Sequence, residues 1–266
     1  MEGRHLFART FAYLQRFSVA CENFGFVCAV MLFTYCRWKS LPGGMSLYVK
    51  KLRRRVYFRG KIDKGVLSHY YSPGYRILDT KTNPVRVIID AGANIGDETL
   101  RFRHFHPEAE IVAIESDSGN CAILSKNAGS DIKIKVLKRG LWSHECKLRV
   151  IKGASAQDFH VEEVDGEPQA GDVEAVSISS IMSRFSFDEI DILKMDIEGA
   201  ELEALRGAKN VIKHNKPKLA ICVYHKPNDL ISIPQYIKGL VGDYKFYLRQ
   251  HQFVSWDMVL YALPKK

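Results

Sequence analysis

The sequence of 266 residues contains six cysteines and none of the patterns that cysteines form when they work in pairs. Cys21, Cys28, Cys36, Cys121, Cys146 and Cys222 include no CxxC pair and no framework spacing, which excludes a zinc ribbon, a dithiol redox motif and a disulfide-stapled secreted scaffold. They read as reduced thiols packed as small apolar groups. Also missing is an apolar run of the roughly 20 residues that a membrane-spanning helix needs. The run from Phe24 to Cys36 is shorter, and no small-residue cleavage site follows it, which argues against a secretory signal peptide. Neither an internal repeat nor a low-complexity tract is present, so solenoid and tail-like architectures fall away.

Outside the first 60 residues neither sign of charge is in excess. Of 39 Lys and Arg and 30 Asp and Glu, residues 1–60 hold eleven basic and two acidic, a net +9 that accounts for the whole formal charge. The remainder is formally neutral and needs no polyanionic partner. Within the basic stretch Phe7, Phe11, Leu14 and Phe17 recur at helical spacing with Arg4, Arg9 and Arg16 between them. Lys50, Lys51, Arg53, Arg54 and Arg55 cluster further on. Two readings stay open here, a helix capping the main domain and peripheral docking on an anionic membrane surface. The expected location is cytoplasmic, with contact at the inner face of the membrane as the alternative.

What the sequence does have is alternation. The breaker Pro42-Gly43-Gly44 separates residues 1–42, expected as a basic helical extension, from a connecting segment at 43–84. From Val85 onward, short β-branched runs alternate with helical stretches, the pattern of a mostly parallel, doubly wound α/β sheet. Strands are expected at about 86–91, 111–115, 132–138, 190–195, 217–223, 244–248 and 257–263, and helices at about 96–105, 118–127, 179–185, 200–213 and 228–240. Residues 147–178 interrupt the pattern; they contain Lys147–Ile151 and Glu174–Ile178 as strand-like pieces around a polar, Gly- and Asp-rich stretch and read as an insertion or flap near the ligand site.

The run Val87-Ile88-Ile89-Asp90-Ala91-Gly92-Ala93-Asn94-Ile95-Gly96 is a buried strand passing into a glycine turn. In a doubly wound sheet this turn lies at the carboxyl edge, where ligands bind. Gly92 and Gly96 permit the turn, Asn94 lies within it, and the helix start, with Thr99 in its first turn, suits an anionic group. Nineteen residues beyond Gly96 stands Glu115, the spacing at which nucleotide-binding sheets put an acid on ribose hydroxyls. The glycines stand as GANIG rather than GxGxxG. Asn94 occupies the place of the glycine that admits a pyrophosphate, which favours S-adenosylmethionine over NAD. Gly140, Leu141, Trp142 and Ser143 follow the third strand, where an adenine ring would lie; Leu141 and Ser143 are the candidates there, and Trp142 reads equally as core.

The stretch from Asp191 to Ala208, DILKMDIEGAELEALRGA, is a strand entering a helix through an acidic glycine turn. Asp196 falls at the carboxyl end of this fourth strand, Glu198 lies in the turn, and Glu201 suits the positive end of the helix dipole. His225 follows the next strand at the same edge. Taken together, IIDAGANIGDETL, Glu115, LSKN at 124–127 and DILKMDIEGAELEALRGA resemble the FkbM-type methyltransferase family from about Val85 to the C-terminus. The resemblance implies a class I methyltransferase (Rossmann-like) fold with a seven-stranded sheet over 85–266, S-adenosylmethionine as methyl donor, and O-methylation of sugars, glycans or natural products. The chain departs from the family in having Glu115-Ser116 where Glu-Pro is usual, and in lacking an acid shortly before His225.

A hydroxyl acceptor needs a base within hydrogen-bond reach, and His225, Asp196 and Glu198 are the catalytic candidates. Cofactor contacts are expected from Asp90, Gly92, Asn94, Gly96, Thr99, Glu115, Leu141, Ser143 and Asp196. No Cys/His ligand spacing points to a metal, so none is expected. Nucleic acid is not expected as a partner, because amino-methylating enzymes carry an Asn/Asp-Pro-Pro-aromatic turn where this chain has Asp-Ile-Glu-Gly. The alternatives carried forward are a nucleic-acid or other small-molecule methyltransferase and a non-catalytic, membrane-associated binding module.

Overall fold

Parallel strands covered on both faces are near-continuous apolar runs, and VIIDA, EIVAIE, ILKM and KLAIC are such runs, each with one or two charged residues. In the computed structural model, which describes residues 46–50, 52–59, 75, 78, 84–152, 159–167, 169–251 and 257–265, they form the centre of a seven-stranded sheet. The expected helical extension at 1–42, with its membrane reading, lies outside the described residues. Among the described residues no helix is long and apolar enough to cross a membrane.

A hairpin comes first, β1 (Ser46–Val49) paired antiparallel with β2 (Arg54–Tyr57). The main sheet and its helices follow as β3 (Val87–Ala91), α1 (Asp97–Phe105), β4 (Glu110–Glu115), α2 (Ser118–Ala128) and β5 (Ile134–Lys138). Next come β6 (Gly140–Leu141), β7 (Cys146–Lys152), β8 (Phe159–Glu163), β9 (Val173–Val176) and α3 (Ile178–Phe185). The chain closes with β10 (Ile192–Met195), α4 (Glu201–Gly207), α5 (Lys209–Asn215), β11 (Lys218–Cys222), α6 (Asp229–Leu240), β12 (Tyr244–Gln250) and β13 (Met258–Pro264).

The strand order is β12-β13-β11-β10-β3-β4-β5. β13 runs antiparallel to both neighbours, while the pairs from β11 through β5 are parallel. The chain starts at β3 in the middle, winds outward through β4 and β5, then returns to β10 on the other side. That reversal puts a topological switch point between β3 and β10, where a crevice opens at the carboxyl ends. The larger core lies on one face, including Ile89, Val112, Leu193 and Ile221 against Ile178, Leu205, Ile212 and Ile233. A second cluster on the other face includes Ile88, Ile111, Phe102, Cys222 and Tyr261 and takes in Tyr75 and Leu78 from ahead of the sheet.

Two expectations change. The stretch at 147–178, read as an insertion or flap, contributes three strands that pair with β6 as a four-stranded sheet of order β6-β9-β7-β8; Arg149 ties its return to β7 through a two-nitrogen contact with Asp172. The single helix expected at 200–213 is two, because the chain leaves helical geometry at Ala208 (φ −90°, ψ 2°). The break follows Gly207, whose backbone lies so close to Ser143 that a Cβ there would stand 2.6 Å from the Ser143 carbonyl oxygen.

Side chains from both partners tie the hairpin to α2, Arg54 donating to the Asn127 carbonyl at 3.3 Å. Asn127, at the end of α2, accepts from the Tyr57 N–H at 2.7 Å and donates to the carbonyls of Ile95 (2.7 Å) and Tyr57 (3.2 Å). It is the last residue of the LSKN run, and it joins the hairpin, α2 and the glycine turn. We expect Asn127→Ala to destabilise the fold by about 1–3 kcal/mol, because buried backbone groups lose their partners. Urea unfolding checks this, and a variant as stable as the parent would show that the bonds are replaced by water.

Candidate active site

The glycine turn after β3 is set by contact with the neighbouring strand's exit. Gly92 has φ +72°, and a Cβ on it would fall 1.7 Å from the Asp196 carbonyl oxygen, so only glycine fits. The N–H groups of Gly92 and Ala93 both donate to the Ile114 carbonyl at 2.9 Å, and the Asp196 N–H donates to the Ala91 carbonyl. Three strand ends are thereby laid against one another. Beneath them sits a buried lysine. Lys194 Nζ pairs with the Asp90 carboxylate, 3.0 Å from Oδ1, and donates to the carbonyls of Gly92 (2.8 Å) and Ala91 (3.2 Å). Burial alone would push this ammonium toward neutrality, but Asp90, with Asp196 adding to it, holds its pKa well above the usual lysine range.

A cavity of about 620 Å³ opens above this point. Gly92, Asn94, Glu115, Leu141, Asp196 and Glu198 line it, six of the residues that spacing nominates. Glu115 is oriented by two backbone donors, Asn94 N–H to Oε2 and Asp117 N–H to Oε1, each at 2.8 Å. Each of its oxygens keeps a further lone pair for a ligand hydroxyl. Glu198 holds a left-handed backbone (φ +57°), uncommon for a residue with a side chain, and its carboxylate is exposed at the cavity rim. Loss of water on its inner side raises its pKa against the pull of His225.

The other nominated residues stand elsewhere. Asp90 lies below the cavity floor, fully buried, where it takes the Thr99 hydroxyl and the Lys194 ammonium. Thr99 is thus used internally, and Gly96 forms the N-cap of α1. Ser143 is turned away, because Trp142 packs into a cluster with Leu148, Ala175 and Ala200, and the next residue meets Gly207. Its hydroxyl pairs with His144 Nδ1.

His225 lies behind the cavity wall. Its Nδ1 bonds Glu201 Oε1 at 2.8 Å, and Nε2 stands 3.3 Å from Glu198 Oε2 and 3.5 Å from Asp196 Oδ1. Burial would lower its pKa, but the bond to Glu201 and the charges of Glu201, Asp196 and Glu198 outweigh it and push it up to about 9. The imidazole is therefore cationic at neutral pH. Glu201, assigned above to the helix dipole, also accepts the Ile197 N–H at 2.9 Å and so closes the acidic turn.

Spacing did not nominate Lys194, Tyr224, Tyr75 or Arg139, which also line the cavity. Lys194 had a readable signal, one charge inside the otherwise apolar strand ILKM. Tyr224 donates its hydroxyl to Asp196 Oδ1 at 3.2 Å; burial first, then the Asp196 charge, keep that phenol protonated. The others had none, since they arrive from distant segments.

The strand order, the switch-point cavity and the glycine turn define a class I methyltransferase-like α/β fold. Residues 90–255 match the family described as Methyltransferase FkbM domain, and the chain belongs to that family. It is 30% identical to "Methyltransferase sdnD" of Sordaria araneosa, covering 50% of this chain and 63% of that protein. It is 22% identical to "2-O-methyltransferase NoeI" of Sinorhizobium fredii (strain NBRC 101917 / NGR234), covering 52% and 63%. Among solved structures, the crystal structure of a methyltransferase FkbM from Methylobacillus flagellatus KT superposes with a TM-score of 0.52 at 27% identity, over 67% of this chain and 43% of that one. The match thus spans 63% of the length of each of the two curated relatives.

Replacing Lys194 by Met would leave the Asp90 carboxylate buried without its cation. Removing one partner of such a pair costs about 3–5 kcal/mol, and combining Asp90→Asn with Lys194→Met should restore part of the loss. Equilibrium denaturation of the two variants measures it. A single variant as stable as the parent would remove this pair from the framework.

Proposed function

We propose that the chain is an S-adenosylmethionine-dependent O-methyltransferase whose acceptor is a hydroxyl of a sugar, glycan or natural-product-like small molecule. The observation that carries this reading is the sign of the cavity. Asp97, Glu98, Glu115, Asp117, Asp196, Glu198 and Asp257 line it, against Arg139 and Lys194, and Lys194 is already committed to Asp90. Such a field favours a cationic ligand and opposes pyrophosphate or the phosphates of a nucleic acid. It therefore disfavours a nicotinamide cofactor and a nucleic-acid acceptor together.

The donor set fits the cofactor. Glu115 offers oxygens to a ribose diol, Ile114, Leu141, Leu148 and Val161 supply an apolar wall suited to a purine ring, and Asp196 and Glu198 supply negative charge. When bound, S-adenosylmethionine supplies a methyl group on a positively charged sulfur. The chain's own residues then need only hold the acceptor oxygen in line, exclude competing water and draw off the hydroxyl proton. A carboxylate of Asp196 or Glu198, both on the cavity lining, takes that proton. His225 enters already protonated and acts as a positioning group for these two carboxylates rather than as the base.

Calorimetric titration tests the reading. S-adenosylmethionine should bind and NAD should not, and Glu115→Gln should weaken binding by about tenfold, or about 1.4 kcal/mol. Transfer of labelled methyl to a small molecule or glycan in a fractionated extract should follow. Failure of the purified chain to bind the sulfonium nucleoside at millimolar concentration would sink the assignment.

A further inference from the structure

Among the described residues six buried side-chain polar atoms have no hydrogen-bond partner, and two of them, His225 Nε2 and Glu201 Oε2, belong to side chains bonded to each other at the cavity wall. Burying such atoms unsatisfied is costly, and where it occurs a missing ligand is a physical explanation. We propose that His225 Nε2 and the carboxylates of Asp196 and Glu198 bind a divalent cation of the Mn²⁺ or Mg²⁺ class at the cavity wall, with Glu201 orienting the imidazole. This rests on the O-methyltransferase reading above for its consequence, though not for the binding itself.

Distances carry the case. Nε2 stands 3.5 Å from Asp196 Oδ1 and 3.3 Å from Glu198 Oε2, at angles that form no hydrogen bond. Two ligand atoms bound at about 2.1 Å to one octahedral ion stand ~3 Å apart, so a contraction of a few tenths of an ångström brings each oxygen into a shared shell with the nitrogen. The mutually close trio is Asp196, Glu201 and His225, with one ligand atom of each within 4.8 Å of the others, and Glu198 joins it through its 3.3 Å approach to Nε2. The opposite nitrogen is taken by Glu201 Oε1 at 2.8 Å, the carboxylate–histidine arrangement that fixes a ligating imidazole in metal sites. It leaves Nε2 to ligate.

Charge and chemistry agree with geometry. Three carboxylates around the imidazolium leave two negative charges in a partly buried place, and a dication that displaces the Nε2 proton leaves one. One imidazole with carboxylate oxygens is a hard donor set, better suited to Mn²⁺ or Mg²⁺ than to a soft metal. Another cluster within mutual reach, His144, Cys146 and Glu163, lacks these features, because His144 is exposed and bonded on both nitrogens. Since Asp196 and Glu198 face the cavity, the cation's remaining positions open toward the acceptor. An acceptor presenting two adjacent oxygens, such as a vicinal diol, fits them, which narrows the substrate class to polyhydroxylated molecules.

The test is titration of the purified, chelator-treated full chain with Mn²⁺, followed by electron paramagnetic resonance of the free ion and by calorimetry, with Mg²⁺ as competitor. The expected result is one saturable Mn²⁺ per chain. Binding should weaken by about tenfold or more in Glu198→Gln and His225→Gln, by about 10–100-fold in Glu201→Gln, and stay unchanged in Glu163→Gln. Glu198 is exposed, so its variant folds even if the buried ones do not, and thermal unfolding of each variant is recorded alongside. No saturable Mn²⁺, or the same affinity in Glu198→Gln as in the parent, overturns the site. Adding S-adenosylmethionine to the metal-free chain separates the two claims. If the cofactor binds and the metal does not, only the cation site is lost; if the metal binds and the cofactor does not, only the methyltransferase reading is lost.

Discussion

The approach of one strand's exit to the next governs this molecule. Gly92 lies against the Asp196 carbonyl with no room for a side chain, and the Lys194 ammonium gathers the Asp90 carboxylate with the carbonyls of Ala91 and Gly92 below the same point. A buried ammonium needs a countercharge and acceptors, and here the Asp90 carboxylate and the two turn carbonyls supply them. The cavity floor is therefore rigid by construction, and the residues above it inherit their positions from it.

That floor sorts the acids into two groups. Asp90, Glu115 and Glu201 have donors from the protein itself, a lysine and a threonine for the first, two backbone N–H groups for the second, a backbone N–H and an imidazole for the third. They shape the loops. Asp196 and Glu198 line the cavity as Glu115 does, Asp196 accepting the Tyr224 hydroxyl and both standing beside the His225 imidazole, and they give the wall its field. An acid at a strand end can thus serve the architecture or the ligand. Only the partners it meets decide which.

Much of the fold was legible because it is written in local pattern. Buried parallel strands need continuous apolar runs and their crossover helices need amphipathic ones, so all seven strands of the main sheet were expected within about two residues of where they lie. The glycine turn and the acidic turn were legible for the same reason, since each depends on residues within a few positions of one another. In the second sheet β7 and β9 were legible as strand-like pieces at 147–151 and 174–178, but β6, β8 and the pairing that joins the four were not, because such pairing spans long intervals rather than local periodicity. Nor was the break at Ala208, which follows a backbone contact between Gly207 and Ser143 that no helical propensity reports.

By itself the sequence determined the order of elements, the doubly wound class, the two turns at the carboxyl edge and the resemblance to a methyltransferase family, because these rest on neighbours in the chain. Tertiary structure alone decided that Ser143 leaves the cavity, that Asp90 and Thr99 serve Lys194 from beneath it, and that His225 finds its acid in Glu201, 24 residues back, rather than in a residue just before it. Each of these depends on strand register and on which face a side chain takes. Register is set by the packing of the whole sheet, and no short stretch of chain carries it.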